Sequence, residues 1–508
     1  MRAVHLVPAG VVLVALAAIG GVAQLDHPAA PPAAASAAVI RQVAVTSAAR
    51  ACPPAAGNGS TPVTLLGGRA DAAGTPGPGS HIDLTALPPA GQTLRPASPV
   101  RAQSPGVVSL LTLPAGTVTG KKASPVAQGW SVTGSGSMAQ SMEAELADST
   151  GMASVRCSAP GSDLWFAGPG QQNGASEITV DLMNVDSLAA SVDVSVITDA
   201  GQSQAGNDAG ITVPAHQTVT ESLSSVASGS SVVAIEIHTS IGRVAADVSE
   251  SSSGGAPNWL PSTAAPSTRL VIPGVPPSGS AAGLFVADPG ESSAKVTVTA
   301  ITPQQNFRPF GAQSIDLPGQ SASYVALSPL GGTNAALEIT SNVPVVAGVV
   351  VPGSAATEAT ATAAATAATA PTGTAATAPI SEQAVVAGNT SGSGLAASVV
   401  LSAPGAAGRA QLTEIAPASH GGGSVTSSQV VAVKAGRTLV TPVAAPKGAK
   451  HGAAFAVVIT PLAGSGPLYA ARIETKDGST VVSIIPAVSA LTTISLPPVR
   501  DTYGAISP

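Results

Sequence analysis

The sequence predicts an all-β protein: tandem immunoglobulin-like β-sandwich modules behind an N-terminal membrane-spanning or signal helix. Three observations lead there. Apolar and polar residues alternate with period two after about residue 160, as half-buried strands require. The pattern recurs after roughly 100 residues, the size of a sandwich module. A long uncharged apolar run stands at the N-terminus. At 508 residues the chain exceeds what one core can organise. Its composition is 44% hydrophobic but only 9% charged and 2% aromatic, so its cores are built from Ala, Val, Leu and Ile. A net charge of only −6 and abundant β-branched residues separate it from disordered chains. The 21 Lys and Arg are scattered, which argues against nucleic acid as a partner.

Residues 1–26 read as a signal peptide or membrane anchor. Arg2 precedes an apolar run over 6–23, interrupted by Pro8 and closed by Gln24 and Asp26. About 18 apolar residues suffice to cross a bilayer, whereas Ala33, Ala35 and Ala37 offer small residues to a signal peptidase. Both the anchored and the released form put the remainder outside the cytoplasmic membrane. Residues 27–160 form a Pro/Gly/Ser-rich β segment with short apolar runs at 63–66 and 107–113. The two cysteines, Cys52 and Cys157, lie in it, and in an oxidising compartment an even pair forms one disulfide. Closing so long a loop is worth up to about 4.7 kcal/mol in chain entropy. The bond is expected to tie this segment to the first module.

That module spans 161–255. Ile178, Val180 and Leu182 alternate with Thr179 and Asp181; Val192, Val194 and Val196 alternate with Asp193 and Ser195; Val233, Ile235 and Ile237 enclose Ala234 and Glu236. A second module, 256–352, repeats the first: residues 192–198 align with 296–302 and 211–214 with 315–318, both offset by 104. Residues 353–382 are dominated by Ala and Thr and read as a low-complexity linker open to O-glycosylation. A third, looser module covers 383–490, and 491–508 form a tail.

Around the second cysteine the residues become specific: Cys157-Ser158-Ala159-Pro160, then Asp163-Leu164-Trp165-Phe166-Ala167-Gly168. With Cys52-Pro53 upstream and the repeated modules, the chain resembles the actinobacterial DUF5719 family of exported proteins of unknown function over most of its length after about residue 40. The resemblance implies export and a surface role. It transfers no chemistry.

The residues themselves give no active site. Seven histidines stand too far apart in sequence for a local metal motif. No G-x-S-x-G, P-loop or H-E-x-x-H occurs, and the glycines around Gly134 and Gly421 read as turns. No cofactor is expected, and no enzyme. Asp181, Asp193 and Glu236 fall on the polar phase of strands, where solvated carboxylates keep a sheet soluble. Asp199 with Asn207 and Asp208 is a weak loop-calcium pattern. Trp165-Phe166 is the adjacent aromatic pair, expected as a core plug or a ligand contact. Trp259, in the connection before the second module, is expected as an interdomain wedge or a ligand contact. The expected role is a non-enzymatic envelope protein whose modules bind or brace an envelope protein or glycan, with membrane contact through the N-terminal segment. The alternatives are an accessory or catalytic part in surface glycan or lipid processing, and a pure spacer.

Overall fold

The computed structural model describes residues 41–496, apart from 55–60, 69–76, 93, 95–98, 103, 118–124, 148–153, 174, 206–209, 252–257, 278–281, 328–329, 331, 353–370, 391, 393, 420–422 and 479. The expected N-terminal helix, residues 353–370 of the Ala/Thr tract and residues 497–508 of the tail lie outside these. Among the described residues every regular element is a strand except two short 3₁₀ turns, Gly136–Ala139 and Gln171–Asn173. No helix among them is long and apolar enough to cross a membrane. Of the described residues, 41–43 and 494–496 belong to one unit, where the strands Arg41–Ala44 and Thr493–Leu496 pair. Residues 44–493 form the other.

This second unit contains four β-sandwiches of eight principal strands each. The first runs Ser47–Cys52, Thr61–Leu66, His81–Leu87, Val100–Ala102, Ser109–Leu113, Gly129–Ser135, Glu143–Ala147 and Ser154–Arg156. The second runs Asp163–Pro169, Glu177–Met183, Ala190–Thr198, Gly201–Ala205, Thr218–Ser222, Val232–Ile241, Ala245–Ser251 and Asn258–Leu260. In the third, Ser267–Val275, Ala282–Asp288, Ala294–Ile301, Asn306–Phe307 and Ser321–Leu327 lead into Ala335–Val351, which serves as both sixth and seventh strand, and then Thr372–Ala375. The fourth runs Ala384–Asn389, Leu395–Ala403, Gly408–Pro417, Ser424–Val433, Arg437–Val443, Phe455–Pro461, Tyr469–Lys476 and Thr480–Ala487.

One topology serves all four. Strands pair in the order 1-6-3-4 in one sheet and 5-2-7-8 in the other, throughout antiparallel. The sandwich class is therefore as expected, but the strand order is not the immunoglobulin one. There the first strand lies beside the second and the last beside the sixth; here the first strand lies on the sixth and the seventh on the second. In each sandwich a Ser or Thr just past strand eight crosses over to bridge strand one: Ser158 to Ala51, Thr263 to Trp165, Thr377 to Val271 and Ser489 to Ala384. The Pro/Gly/Ser-rich segment is thus a full fourth copy, not an appendage of the next module. Thr372–Ala375 of the expected linker is a buried strand hydrogen-bonded to Val351 and its neighbours. Ala, Thr and Gly fit there because the strand lies between close-packed sheets.

The sandwiches also pack on one another, head to tail. The outer face of each 1-6-3 sheet meets the outer face of the next sandwich's 5-2-7 sheet. Phe285, Ala287, Ala322 and Val346 of the third sandwich join the core of the second. Val400, Ala471, Ile473 and Ile484 of the fourth join that of the third. Ala51 and Leu87 of the first meet Met183 and Ala245 of the second. Leu66 and Val108 of the first meet Val385, Ile415 and Val458 of the fourth, so the cycle closes. Strands of the 1-6-3 and 5-2-7 sheets are therefore covered on both faces, which is why 384–387 and 455–459 are continuous apolar runs rather than alternating ones. Each junction places a glycine where a Cβ would collide with the neighbour. A methyl group on Gly129 would stand 2.8 Å from Thr218 Oγ1 and one on Gly388 2.7 Å from the Glu145 carboxyl carbon; one on Gly348 would come closer still to the Ala167 carbonyl oxygen, and one on Gly274 to the Ala471 Cβ. Close approach of sheet to sheet explains the Ala/Gly-rich, aromatic-poor composition.

Candidate functional site

The cysteines and the Trp165-Phe166 pair singled out in the sequence are buried inside sandwich cores. Cys52 ends strand one and Cys157 follows strand eight of the first sandwich; they are disulfide-bonded, fully buried and packed beside Trp130. The bond locks that sandwich's own beginning to its end, because Ser158 brings the chain back to Ala51. It does not tie one module to another as expected. Trp165 and Phe166 lie on strand one of the second sandwich, 5% and 1% exposed, inside its core. Neither ring offers a face to a ligand. Trp259 is on strand eight of the second sandwich rather than in a connection, half-buried against the first sandwich's core.

The chemically distinctive groups are sealed at two of the four junctions. Where the fourth sandwich meets the first, Arg472 on strand seven is fully buried. Its Nη1 lies 2.7 Å from Glu145 Oε1 of the first sandwich and 3.8 Å from Glu474 Oε2 of its own strand. Nη1 also donates to the Gly388 carbonyl at 2.8 Å, and Nη2 donates to Ser154 and Ser483 at 2.8 and 2.7 Å. The Gly388 amide donates to Glu145 Oε2 at 2.9 Å, and the Thr390 amide to Glu474 Oε1 at 2.8 Å. Burial works against the Arg472 charge, but the Glu145 and Glu474 carboxylates outweigh it and hold the guanidinium protonated. Beside it Arg156 Nε donates to Glu143 Oε1 at 2.8 Å, and Arg156 Nη2 donates to the other oxygen. The Gln383 amide of the fourth sandwich donates to Ser141 of the first.

Between the first and second sandwiches the charge is of one sign. Asp181 on strand two and Asp247 on strand seven are direct cross-strand partners, 6% and 3% exposed. Thr220 donates to Asp181 at 2.7 Å, and Ser158 of the crossover donates to Asp247 at 2.5 Å. Two positions on from Val248 along the same strand, Glu250 accepts from Asn258 at 2.6 Å. Burial pushes Asp181 up to about 6 and Glu250 up to about 8; it raises Asp247 well above the carboxylate range, and Asp181 adds to that. These acids are thus protonated hydrogen-bonding groups at mildly acidic pH. The expectation that Asp181 is a solvated surface carboxylate is overturned, because its strand is covered on both faces. Asp193 and Glu236 are half-buried, and burial raises Glu236.

Arg472, Glu145, Asp247 and Glu250 carry no local motif. A charged residue inside an otherwise apolar run, as in 469–473, is the signal that marks Arg472. The calcium pattern dissolves likewise: Asp199 accepts from the Ser231 amide and hydroxyl at 3.1 and 2.6 Å, and Asn207 and Asp208 lie outside the described residues. Among the described residues no three His, Cys, Asp or Glu side chains are grouped to hold a metal ion. A shallow depression between Lys295, Asp316 and Asn342 opens to solvent and holds one exposed ion pair at 3.7 Å.

A family model described as a family of unknown function, DUF5719, matches residues 113–444. The match runs from inside the first sandwich, through the whole of the second and third, to the fifth strand of the fourth. No curated protein and no solved structure matches the chain.

Proposed function

The chain belongs to the DUF5719 family, and we propose that it works as a non-catalytic scaffold outside the cytoplasmic membrane. In this reading the ring of sandwiches binds or braces an envelope protein or glycan through its outer strand edges and loops. The N-terminal apolar run supplies export, and membrane contact if it is retained. One observation carries the reading: the ionisable groups with the most displaced proton affinities are spent inside sandwich junctions, each bonded to a neighbouring strand or crossover. Catalytic acids and bases lie instead in clefts that a substrate can enter. The Cys52–Cys157 disulfide fits an oxidising compartment. A closed ring is compact, which favours a platform over a spacer.

The Asp181–Asp247 pair favours a second reading, an enzyme of surface glycans or lipids, since two carboxyls with raised proton affinity are also how hydrolases are built. Complementation of a deletion strain separates the two. A folded D181N/D247N protein is expected to restore the envelope phenotype fully; a folded protein that fails to do so would favour the enzyme. Export is checked on protein taken from native envelopes: under denaturing, non-reducing conditions Cys52 and Cys157 are expected to resist alkylation.

A further inference from the structure

Strand four is the free edge of the 1-6-3-4 sheet in every sandwich, and three of the four copies keep it short or broken. It is Val100–Ala102 in the first sandwich. In the second it is split into Gly201–Ala205 and Ile211–Val213, and in the third into Asn306–Phe307 and Ile315–Leu317. Short and interrupted edge strands are how β proteins prevent edge-to-edge pairing. The fourth sandwich departs from this. Ser424–Val433 is an unbroken ten-residue strand paired along its whole length with Gly408–Pro417, and its other edge has no strand beside it among the described residues. Residues 426–430 are exposed in succession, so the middle of the strand is open on both faces while Val425, Val431 and Val433 hold its ends to the core, and Val430 is 58% exposed.

Its sequence, Ser-Val-Thr-Ser-Ser-Gln-Val-Val-Ala-Val, has no charge and no proline, the two usual guards of an open edge. The one nearby buried acid, Glu414, is already satisfied by Ser427 and Gln429 at 3.0 and 3.1 Å. Only the Ser424 end is occupied, donating to the Gly106 carbonyl of the first sandwich at 3.1 Å.

We propose that this edge is a homodimer interface, two copies pairing Ser424–Val433 antiparallel about a two-fold axis that passes between the two Ser428 residues. A second copy is the occupant that the residues favour. An antiparallel pair about that centre sets Ser428 opposite Ser428 and Thr426 opposite Val430, pairs that suit a sheet. It also holds the nearest cations along the strand, the two Lys434 residues, about 40 Å apart at 3.3 Å per residue, beyond the reach of repulsion in physiological salt. The isologous contact closes at two copies, so it does not propagate into fibres. One strand pair is a small interface, so the dimer forms at micromolar concentrations and above.

The test is sedimentation of the full-length chain across a concentration series, with two variants. Wild type is expected to pass from monomer to dimer. S428K/V430K changes exposed side chains only, and is expected to weaken dimerisation at least tenfold with an unchanged melting temperature. S428C is expected to give a disulfide-linked dimer under mild oxidation, since both native cysteines are already bonded, whereas S293C on the third sandwich is not. A wild type that stays monomeric throughout, a lysine variant that dimerises equally well, or an S428C thiol that joins only to another polypeptide would each overturn the proposal.

Discussion

The junction between the second and third sandwiches and the junction between the fourth and first perform the same task with opposite chemistry. The former is apolar: Trp165, Phe166 and Ala167 of one sandwich lie with Phe285, Ala322 and Val346 of the other, and the Phe285 and Tyr324 rings tilt together at 5.3 Å. The latter is organised around Arg472, Glu145 and Glu474. The difference follows connectivity. Sandwiches two and three are joined by six residues, 261–266, so their faces meet at high effective concentration and non-directional burial suffices. The first and fourth must find each other across the whole of the second and third, while other apolar outer faces of the same kind compete. A buried guanidinium that demands two carboxylates and three oxygen acceptors admits one partner face only. Such groups add little net stability against apolar substitutes, but they penalise wrong pairings severely.

The largest expected effect therefore belongs to Arg472. Arg472→Met strands Glu145 and Glu474 and should lower unfolding stability by about 3–5 kcal/mol. Replacing Arg472, Glu145 and Glu474 together by Met should recover most of that in denaturant melts but reduce refolding yield. An unimpaired yield would reduce the latch to a stability device. Next comes the Cys52/Cys157→Ala double variant, expected to cost about 2–5 kcal/mol. Because the bond lies within one sandwich, hydrogen exchange should show the loss centred on 47–157 and not spread equally around the ring.

How far the sequence discloses this depends on which faces of a strand are covered. Period-two alternation reports one buried face, and Ile178, Val180 and Leu182 are legible because the intervening positions, Thr179 and Asp181, are polar. That polarity suggests solvation, yet Asp181 is covered by the first sandwich. The 104-residue offset between the second and third copies is legible because the chain from strand three through the split strand four has equal length in both. The first copy is hidden because its strands are separated by long Pro/Gly-rich connections, although the Ser or Thr past each eighth strand, Ser158, Thr263, Thr377 and Ser489, repeats in all four. Ring closure leaves almost no local trace: it is written in small residues whose value lies in what they allow to approach. Residues 372–375 show this plainly, being compositionally a linker and structurally a strand.

The one-signed junction between the first and second sandwiches sharpens the comparison through pH. Asp181, Asp247 and Glu250 take up protons more readily folded than unfolded, so between about pH 4 and their folded values the native state binds more protons and stability falls as pH rises. Their contribution is complete below the ordinary carboxylate range and is lost through about 6 for Asp181 and about 8 for Glu250. Each group can impose a slope of at most about 1.4 kcal/mol per pH unit. The melting temperature should drop from about pH 5 to about pH 8.5, and D181N/D247N/E250Q should flatten that drop while leaving an R472M effect unchanged, because the two sites occupy different junctions. An equal drop in the triple variant would move the pH response elsewhere.

The smallest expected effect tests close approach itself. Gly348→Ala places a methyl group against the Ala167 carbonyl in a strand whose backbone is extended, so the cost is crowding alone, about 1–3 kcal/mol. Gly79→Ala is the contrasting change: its Cβ meets nothing, and only its positive φ of 74° opposes substitution. Gly348→Ala should loosen the second and third sandwiches from each other, seen as new protease sensitivity near 261–266, whereas Gly79→Ala should leave that segment protected. If both variants melt alike with the junction intact, the spacing between sheets is not what keeps glycine at 348.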